Sequence, residues 1–189
     1  MATQYDFITS SGTTTPKASV KIPGGKLALV AGGGVVIVII LLVIMNLFFG
    51  GNPGRESLLK VVQAQHELVR ITTLPVASQT NQDTKNIVLN VQASLTSAQT
   101  RTTAAIGERG ISFKDKEIKL VEDTKTDAAF ETAKAAGMLD ETVRSTLKTQ
   151  LTAYSAALSA AYDDVQSESI KETLSQLFSD ASLLLKSLD

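Results

Sequence analysis

An apolar run from Leu27 to Phe49 constrains this chain more than any other feature, because LALVAGGGVVIVIILLVIMNLFF contains no charge. As a helix rising 1.5 Å per residue, the run would extend roughly 35 Å, enough to cross a hydrocarbon core of about 30 Å. Inside that core every backbone amide needs a partner, and an isolated span can supply the partners only as an α-helix. The run therefore predicts one transmembrane helix at residues 27–49.

Two other interpretations of the run are less favoured. A cleaved signal peptide has a shorter apolar core, of about 7–15 residues, and a small-residue cleavage site behind it. Phe48-Phe49-Gly50 is a poor site of that kind. Gly24-Gly25 resembles a prepilin processing site, but Leu27–Ala31 lacks the glutamate expected early in a pilin helix. We therefore expect an uncleaved anchor.

The flanks of the run predict its orientation. Residues 1–26 are rich in Ser, Thr, Pro and Gly, without the periodicity of a packed element, so we expect a disordered tail. The tail holds Lys17, Lys21 and Lys26 against a single acidic residue, Asp6. Positive charge favours the cytoplasmic side and contacts anionic lipid head groups. The prediction is a protein of the cell membrane with its N-terminus in the cytoplasm and its C-terminal domain outside.

Small residues lie on one face of the predicted span. Ala28 and Gly32 form a small-xxx-small pair, which lets two membrane helices approach closely. We take Ala28 and Gly32 as candidate membrane-helix packing residues. The alternative is that glycine is simply common in membrane helices. Beyond the span, Gly50-Gly51-Asn52-Pro53-Gly54 predicts a hinge at residues 50–54.

Residues 55–189 predict an all-α domain. Helix-breaking residues are restricted to Pro75, Gly107, Gly110 and Gly137, and apolar residues recur at spacings of three and four. Five amphipathic helices are expected: 56–73, 82–106, 112–136, one with Asp140 as its cap, and a final one that carries Ile170 to Leu188. An antiparallel four- or five-helix bundle, packed like a coiled coil, would bury their stripes.

The apolar residues predict which faces of the last three helices turn inward. The third helix is expected to bury Ile118, Val121, Ala128, Ala129 and Ala136. The fourth is expected to bury Val143, Leu147, Leu151, Tyr154, Leu158 and Tyr162. The fifth is expected to bury Ile170, Leu174, Leu177, Phe178, Ala181, Leu184, Leu185 and Leu188.

The residue types exclude most active-site chemistry. The chain has no cysteine, so thiolate metal sites, disulfides and a cysteine nucleophile are excluded. His66 is its single histidine, so a di-iron bundle site with two Glu-x-x-His motifs cannot form. We expect His66 on a helix surface, and no catalytic residue, metal or cofactor. With 18 basic against 19 acidic residues, no nucleic-acid footprint is indicated.

The sequence thus favours a non-enzymatic, single-pass envelope protein whose bundle binds or tethers a protein partner or associates with itself. One alternative is an extracytoplasmic ligand-sensing bundle, although the glycine-rich hinge is poorly suited to transmitting a signal. Another is a structural subunit of a membrane assembly, in which Ala28 and Gly32 would pack against a neighbouring span.

Overall fold

A computed structural model describes residues 53–74 and 76–188. Over that part of the chain every regular element is helical and no strand occurs, so the predicted all-α class is confirmed there. None of its helices combines the length and apolar character needed to cross a bilayer. The predicted tail 1–26, the transmembrane helix 27–49 and most of the hinge lie outside the described residues.

The described residues contain six α-helices and two short 3₁₀ turns. The α-helices are α1 (Pro53–Thr73), α2 (Gln82–Gly107), α3 (Asp115–Ile118), α4 (Thr124–Ala135), α5 (Leu139–Asp164) and α6 (Glu168–Lys186). The 3₁₀ turns are Ala77–Gln79 and Lys119–Val121. Helix α1 begins at Pro53, inside the expected hinge, because proline is well suited to the first position of a helix.

The four long helices form a bundle in the ring order α1, α2, α6, α5. Cross-helix contacts show that α1 runs antiparallel to α5: Ser57, near its start, bonds to Asp164 at the end of α5, while Gln65 bonds to Tyr154. On the side of the ring opposite to α1 and α5, Arg101 of α2 bonds to Asp180 of the neighbouring helix α6. All ring neighbours are antiparallel, as short connections between neighbouring helices require.

The apolar stripes meet in one continuous core. Leu147 and Leu151 of α5 are fully buried, and Leu95 of α2 is 1% exposed. Burying one leucine side chain stabilises the fold by about 1.5–3 kcal/mol. The core residues of the four long helices include Leu58, Leu68, Ile71, Val88, Val91, Leu95, Ala98, Ile106, Val143, Leu147, Leu151, Tyr154, Leu158, Ile170, Leu174, Leu177, Ala181 and Leu184.

A long crossover, residues 108–138, connects α2 to α5 and runs along α1. Glu117 contacts Arg55 near the start of α1, and Asp127 contacts Arg70 near its end. The crossover therefore returns the chain from one end of the bundle to the other. Gly110 and Gly137, near its two ends, have φ angles of 69° and 70°, in the left-handed region where residues other than glycine are strained.

The expected single helix over 112–136 is wrong, because it is divided into α3, a 3₁₀ turn and α4. The backbone is extended at Lys114 and leaves the helical region again at Glu122, which has a ψ of 114°. Asp123 then caps α4 by accepting the Lys125 amide hydrogen at 2.9 Å. A side chain that bonds the backbone just ahead of it favours a new helix start over a continuous helix.

The expected alanine stripe of this segment is also wrong. Ala128, Ala129 and Ala136 are exposed, and α4 buries Phe130 and Ala133 instead. Phe130 is fully buried, and a side chain of that area outweighs several alanines in choosing which helix face turns inward. The spacing of alanines alone pointed to a neighbouring face of the helix.

Three smaller expectations also differ from the structure. Helix α5 begins at Leu139, so Asp140 does not cap it; the Asp140 carboxylate instead accepts the Asn81 backbone N–H at 2.8 Å. Tyr162 and Phe178, expected in the core, are each 44% exposed. Ala161 takes the inward position next to Tyr162, because close helix packing at the end of α5 favours a small side chain.

Candidate functional site

Helix α1 buries polar side chains to a degree that its neighbours do not. Gln63, Gln65 and Glu67 are between 0% and 4% exposed. The cause is the fold: α2, α5 and the crossover pack around α1. A buried polar group is costly unless it is hydrogen-bonded, so the partners of these side chains define the most constrained polar region of the described residues.

An ionic cluster is centred on Arg70. Its guanidinium donates two hydrogen bonds to Glu67, at 2.7 and 2.8 Å, and one to Asp127 at 2.7 Å. It also donates to the Asp123 carbonyl oxygen at 3.0 Å. The bond to Glu67 is the main reason that the pKa of Arg70 is raised above its ordinary value, with burial opposing it and Asp127 adding to it. The cluster joins the last turn of α1 to the start of α4.

His66 lies one turn earlier on the same side of α1. Its Nε2 is 2.9 Å from a carboxylate oxygen of Glu122, and its side chain is 27% exposed. This bond is the largest cause of the lowered pKa of Glu122. His66 is therefore a partly exposed histidine that joins α1 to the crossover. No group of three or more potential metal-ligating side chains forms within residues 53–74 and 76–188.

The first half of the crossover is joined to α1 by Arg55 and Gln63. Arg55 donates to the Ser112 carbonyl and to Glu117, both at 3.3 Å, and its guanidinium lies 4.9 Å from the centre of the Phe113 ring. Gln63 donates to the Glu117 carbonyl oxygen at 2.8 Å. The pKa of Glu117 is lowered first by the Lys114 backbone N–H that it accepts, and further by Arg55.

A second polar group lies inside the bundle. The Gln65 side-chain amide donates to Thr102 Oγ1 and to the Tyr154 hydroxyl, each at 2.9 Å. All three residues are at most 2% exposed. Burial raises the pKa of Tyr154 to about 12, against the opposing effect of the Gln65 bond. A polar contact at the centre of an apolar core fixes the register of three helices, α1, α2 and α5.

Two surfaces of the bundle could accept a ligand or partner. An open groove of about 330 Å³ lies where the end of α1, the following 3₁₀ turn and α2 meet. Leu74, Val88 and Leu89 supply apolar lining, and Lys85 supplies a positive charge. Leu89 is 51% exposed. The groove is at the small end of the range for ligand pockets and is open to solvent.

The second surface is the terminal hairpin formed by α5 and α6. Tyr162, Phe178 and Leu183 are 44%, 44% and 65% exposed, and Lys171 lies over the Tyr162 ring at 5.6 Å. Within the described residues α6 packs mainly against α2 and α5, and near its start Ser169 accepts a bond from Arg109 of the crossover. Its outer face therefore remains open, whereas the corresponding face of α1 is covered by the crossover.

The residues singled out from the sequence are only partly tested. Ala28 and Gly32 lie outside the described residues. Glu122 and Asp123 are adjacent in the chain but have different partners: Glu122 contacts His66, while the Asp123 carboxylate caps α4. Sequence reasoning missed the Arg70 cluster. The available signal was the stretch Gln63–Glu67, in which four of five residues are polar and, at 100° per residue, point to different sides of the helix.

The chain matches no model of a known protein family, no curated protein and no solved structure.

Proposed function

We propose that this chain is a single-pass, non-enzymatic protein of the cell envelope whose helical bundle binds or tethers a protein partner. The anchor is the uncharged run 27–49, which ends four residues before the start of α1 at Pro53. A bundle attached so closely to its anchor would be held at the membrane surface. The three tail lysines favour the bundle on the outer side.

The observation that carries the binding role is the open terminal hairpin. Aromatic and large apolar side chains are enriched among the residues that dominate binding energy at protein interfaces. Tyr162, Phe178 and Leu183 are of that type, and they protrude from two helices that are fixed in the core, with Phe178 and Leu183 on different sides of α6. A rigid helix face reduces the ordering cost of association, because its side chains are already positioned.

Topology is the first test. Intact cells carrying one tag at Met1 and another at Asp189 would be treated with external protease. Loss of the C-terminal tag alone supports an outer bundle. Loss of the N-terminal tag alone contradicts the proposed orientation and redirects the search to cytoplasmic partners.

The binding surface has a separate test. Proteins crosslinked to the full chain in cells would be compared among Phe178→Ala, Leu183→Ala and the control Leu120→Ala, which removes an exposed leucine outside the hairpin. Loss of a hot-spot side chain costs about 2 kcal/mol or more, so recovery of a specific partner should fall by roughly tenfold or more with the first two variants. Equal recovery from all three would contradict the assignment of this surface.

The groove beside Lys85 favours ligand sensing as the alternative function. Its charge and apolar lining suit a small molecule with one acidic group. A thermal shift with small carboxylates that is abolished by Lys85→Met would support it. The third possibility, a structural subunit, predicts that crosslinks through Ala28 or Gly32 reach a neighbouring span.

A further inference from the structure

The weakest attachment in the described fold is that of residues 112–123, which we call the strap. No residue of the strap is buried, and its apolar contribution is limited to partly exposed side chains such as Phe113, Ile118 and Val121. Each of the four long helices, by contrast, buries several apolar residues in the common core. Since burial of apolar area supplies most of the stabilisation of a fold, the strap adds little of it.

The strap is held to α1 largely by polar contacts. Arg55 contacts Glu117 and the Ser112 carbonyl, and Gln63 contacts the Glu117 carbonyl. Further along, His66 pairs with Glu122, Arg70 bonds to the Asp123 carbonyl and Glu67 accepts the Asp123 backbone N–H. Contacts between partly exposed charges contribute little each and are screened by salt. The attachment therefore depends on several weak contacts acting together.

The interface also contains unpaired polar atoms. Gln63 Oε1 and Asp123 Oδ2 are buried without a hydrogen-bond partner. A buried acceptor without a partner keeps its full desolvation cost. Opening of the strap would return both atoms to water. The closed strap therefore carries the desolvation cost of these two atoms, which its other contacts with α1 must exceed.

The two ends of the strap allow it to move without the bundle. Gly110, just before it, occupies a left-handed conformation that glycine adopts without strain. At the other end, α4 is fixed by the fully buried Phe130 and packs against α5. A displacement of the strap would thus stop at the start of α4.

We propose that residues 112–123 form a strap that opens as a unit while the four-helix bundle stays folded. Opening uncovers a stripe of α1 that includes Leu59. Leu59 is 3% exposed and lies four residues from both Arg55 and Gln63, which contact the strap, so it shares their face of the helix. The strap is in this sense a cover over an otherwise accessible side of α1.

Thiol labelling tests the opening, since the chain has no cysteine of its own. The full chain in mild detergent would carry either Leu59→Cys or the control Leu147→Cys, which replaces a fully buried leucine of the α5 core. With the strap opening locally, Leu59→Cys should react at least about tenfold faster, and faster still when salt is raised from about 0.05 to about 1 M. Equal rates for the two variants, unchanged by salt, would overturn the proposal.

Hydrogen exchange on the unsubstituted chain covers the case in which either variant folds poorly. The Asp123 amide donates to a Glu67 carboxylate oxygen at 3.4 Å across the contact with α1, and the Ile118 amide donates to the Lys114 carbonyl in a short turn that loses its packing against α1 when the strap opens. The amides of Asp123 and Ile118 therefore report strap opening. They should exchange at least about tenfold faster than amides in the middle of α5, and Glu122→Gln should accelerate them further without affecting α5. Exchange at the same rate as α5 would show that strap and bundle open only together.

Discussion

Replacement of Arg70 by methionine gives the most informative single perturbation of this fold. Arg70→Met keeps a side chain of similar length but removes all four hydrogen bonds that the guanidinium donates. The Glu67 side chain, 4% exposed, would retain only the Asp123 backbone N–H at 3.4 Å. Removing one partner of a buried ion pair typically costs 3–5 kcal/mol. Because Arg70 is itself 17% exposed, we expect about 3 kcal/mol.

A double-mutant cycle separates this mechanism from a simple packing loss. Glu67→Gln alone should cost about 1 kcal/mol, since a neutral amide still accepts from Arg70. If the two sites were independent, the double variant would lose about 4 kcal/mol. We expect only about 1–2 kcal/mol, because the double variant leaves no buried charge unpaired.

The assay is urea unfolding followed by far-ultraviolet circular dichroism, on a fragment beginning at Pro53. Arg109→Met is the matched control, because Arg109 makes one exposed bond to Ser169 at 3.1 Å. Its cost should stay within about 0.5 kcal/mol. Additive losses in the cycle, or a loss from Arg70→Met as small as that from Arg109→Met, would refute the reasoning.

Three further predictions concern glycine and titration. Gly110→Ala should destabilise the fold by about 1 kcal/mol, because a φ of 69° is strained for alanine even though no atom lies within 4 Å of the added Cβ. Gly107→Ala in α2, where the added Cβ is equally free of contacts, should be neutral or stabilising. Thermal unfolding of both variants measures the difference. The pKa values of Glu117 and Glu122 are lowered in the folded chain, which contributes stability that is present above their ordinary value of 4.5 and is lost as the pH falls through the lowered values. In Glu117→Gln and Glu122→Gln, the free energy of unfolding should therefore decrease less steeply as the pH is lowered. The pKa of Tyr154 is raised to about 12, so its burial contributes stability that is full below the ordinary pKa of 10 and is lost as the pH rises toward 12. Ultraviolet titration should show that Tyr154 ionises as the protein unfolds. A normal titration of Tyr154 in the folded protein would contradict its burial.

The sequence predicts the long helices well because their apolar residues recur with one clear period. Leu147, Leu151, Tyr154 and Leu158 were expected on one face of α5, and all four are buried. Asn81 was not foreseen as the cap of α2, although its side chain accepts the Thr84 amide hydrogen at 2.9 Å. Such local signals are short and occur by chance elsewhere in a chain rich in polar residues.

The crossover was mispredicted because tertiary contacts decide its structure. Its apolar residues are few, so no periodicity identifies the face that packs, and its polar residues find their partners on α1, more than 50 positions away in the chain. The burial of Gln63 and Glu67 has the same origin. A helix enclosed on three sides buries polar side chains beside its apolar stripe, and hydrophobicity alone does not identify which polar residues these are.

The antiparallel arrangement of α1 also determines how the bundle would respond to force. A pull entering at Pro53 and resisted by a partner held on the terminal hairpin would act along the axis of α1. The contacts of α1 with α2, α5 and the crossover would then be loaded together in shear, and would not break one after another from one end of the helix. Since forced unfolding is governed by the barrier to the first rupture, this geometry favours a tether that holds until many contacts fail at once.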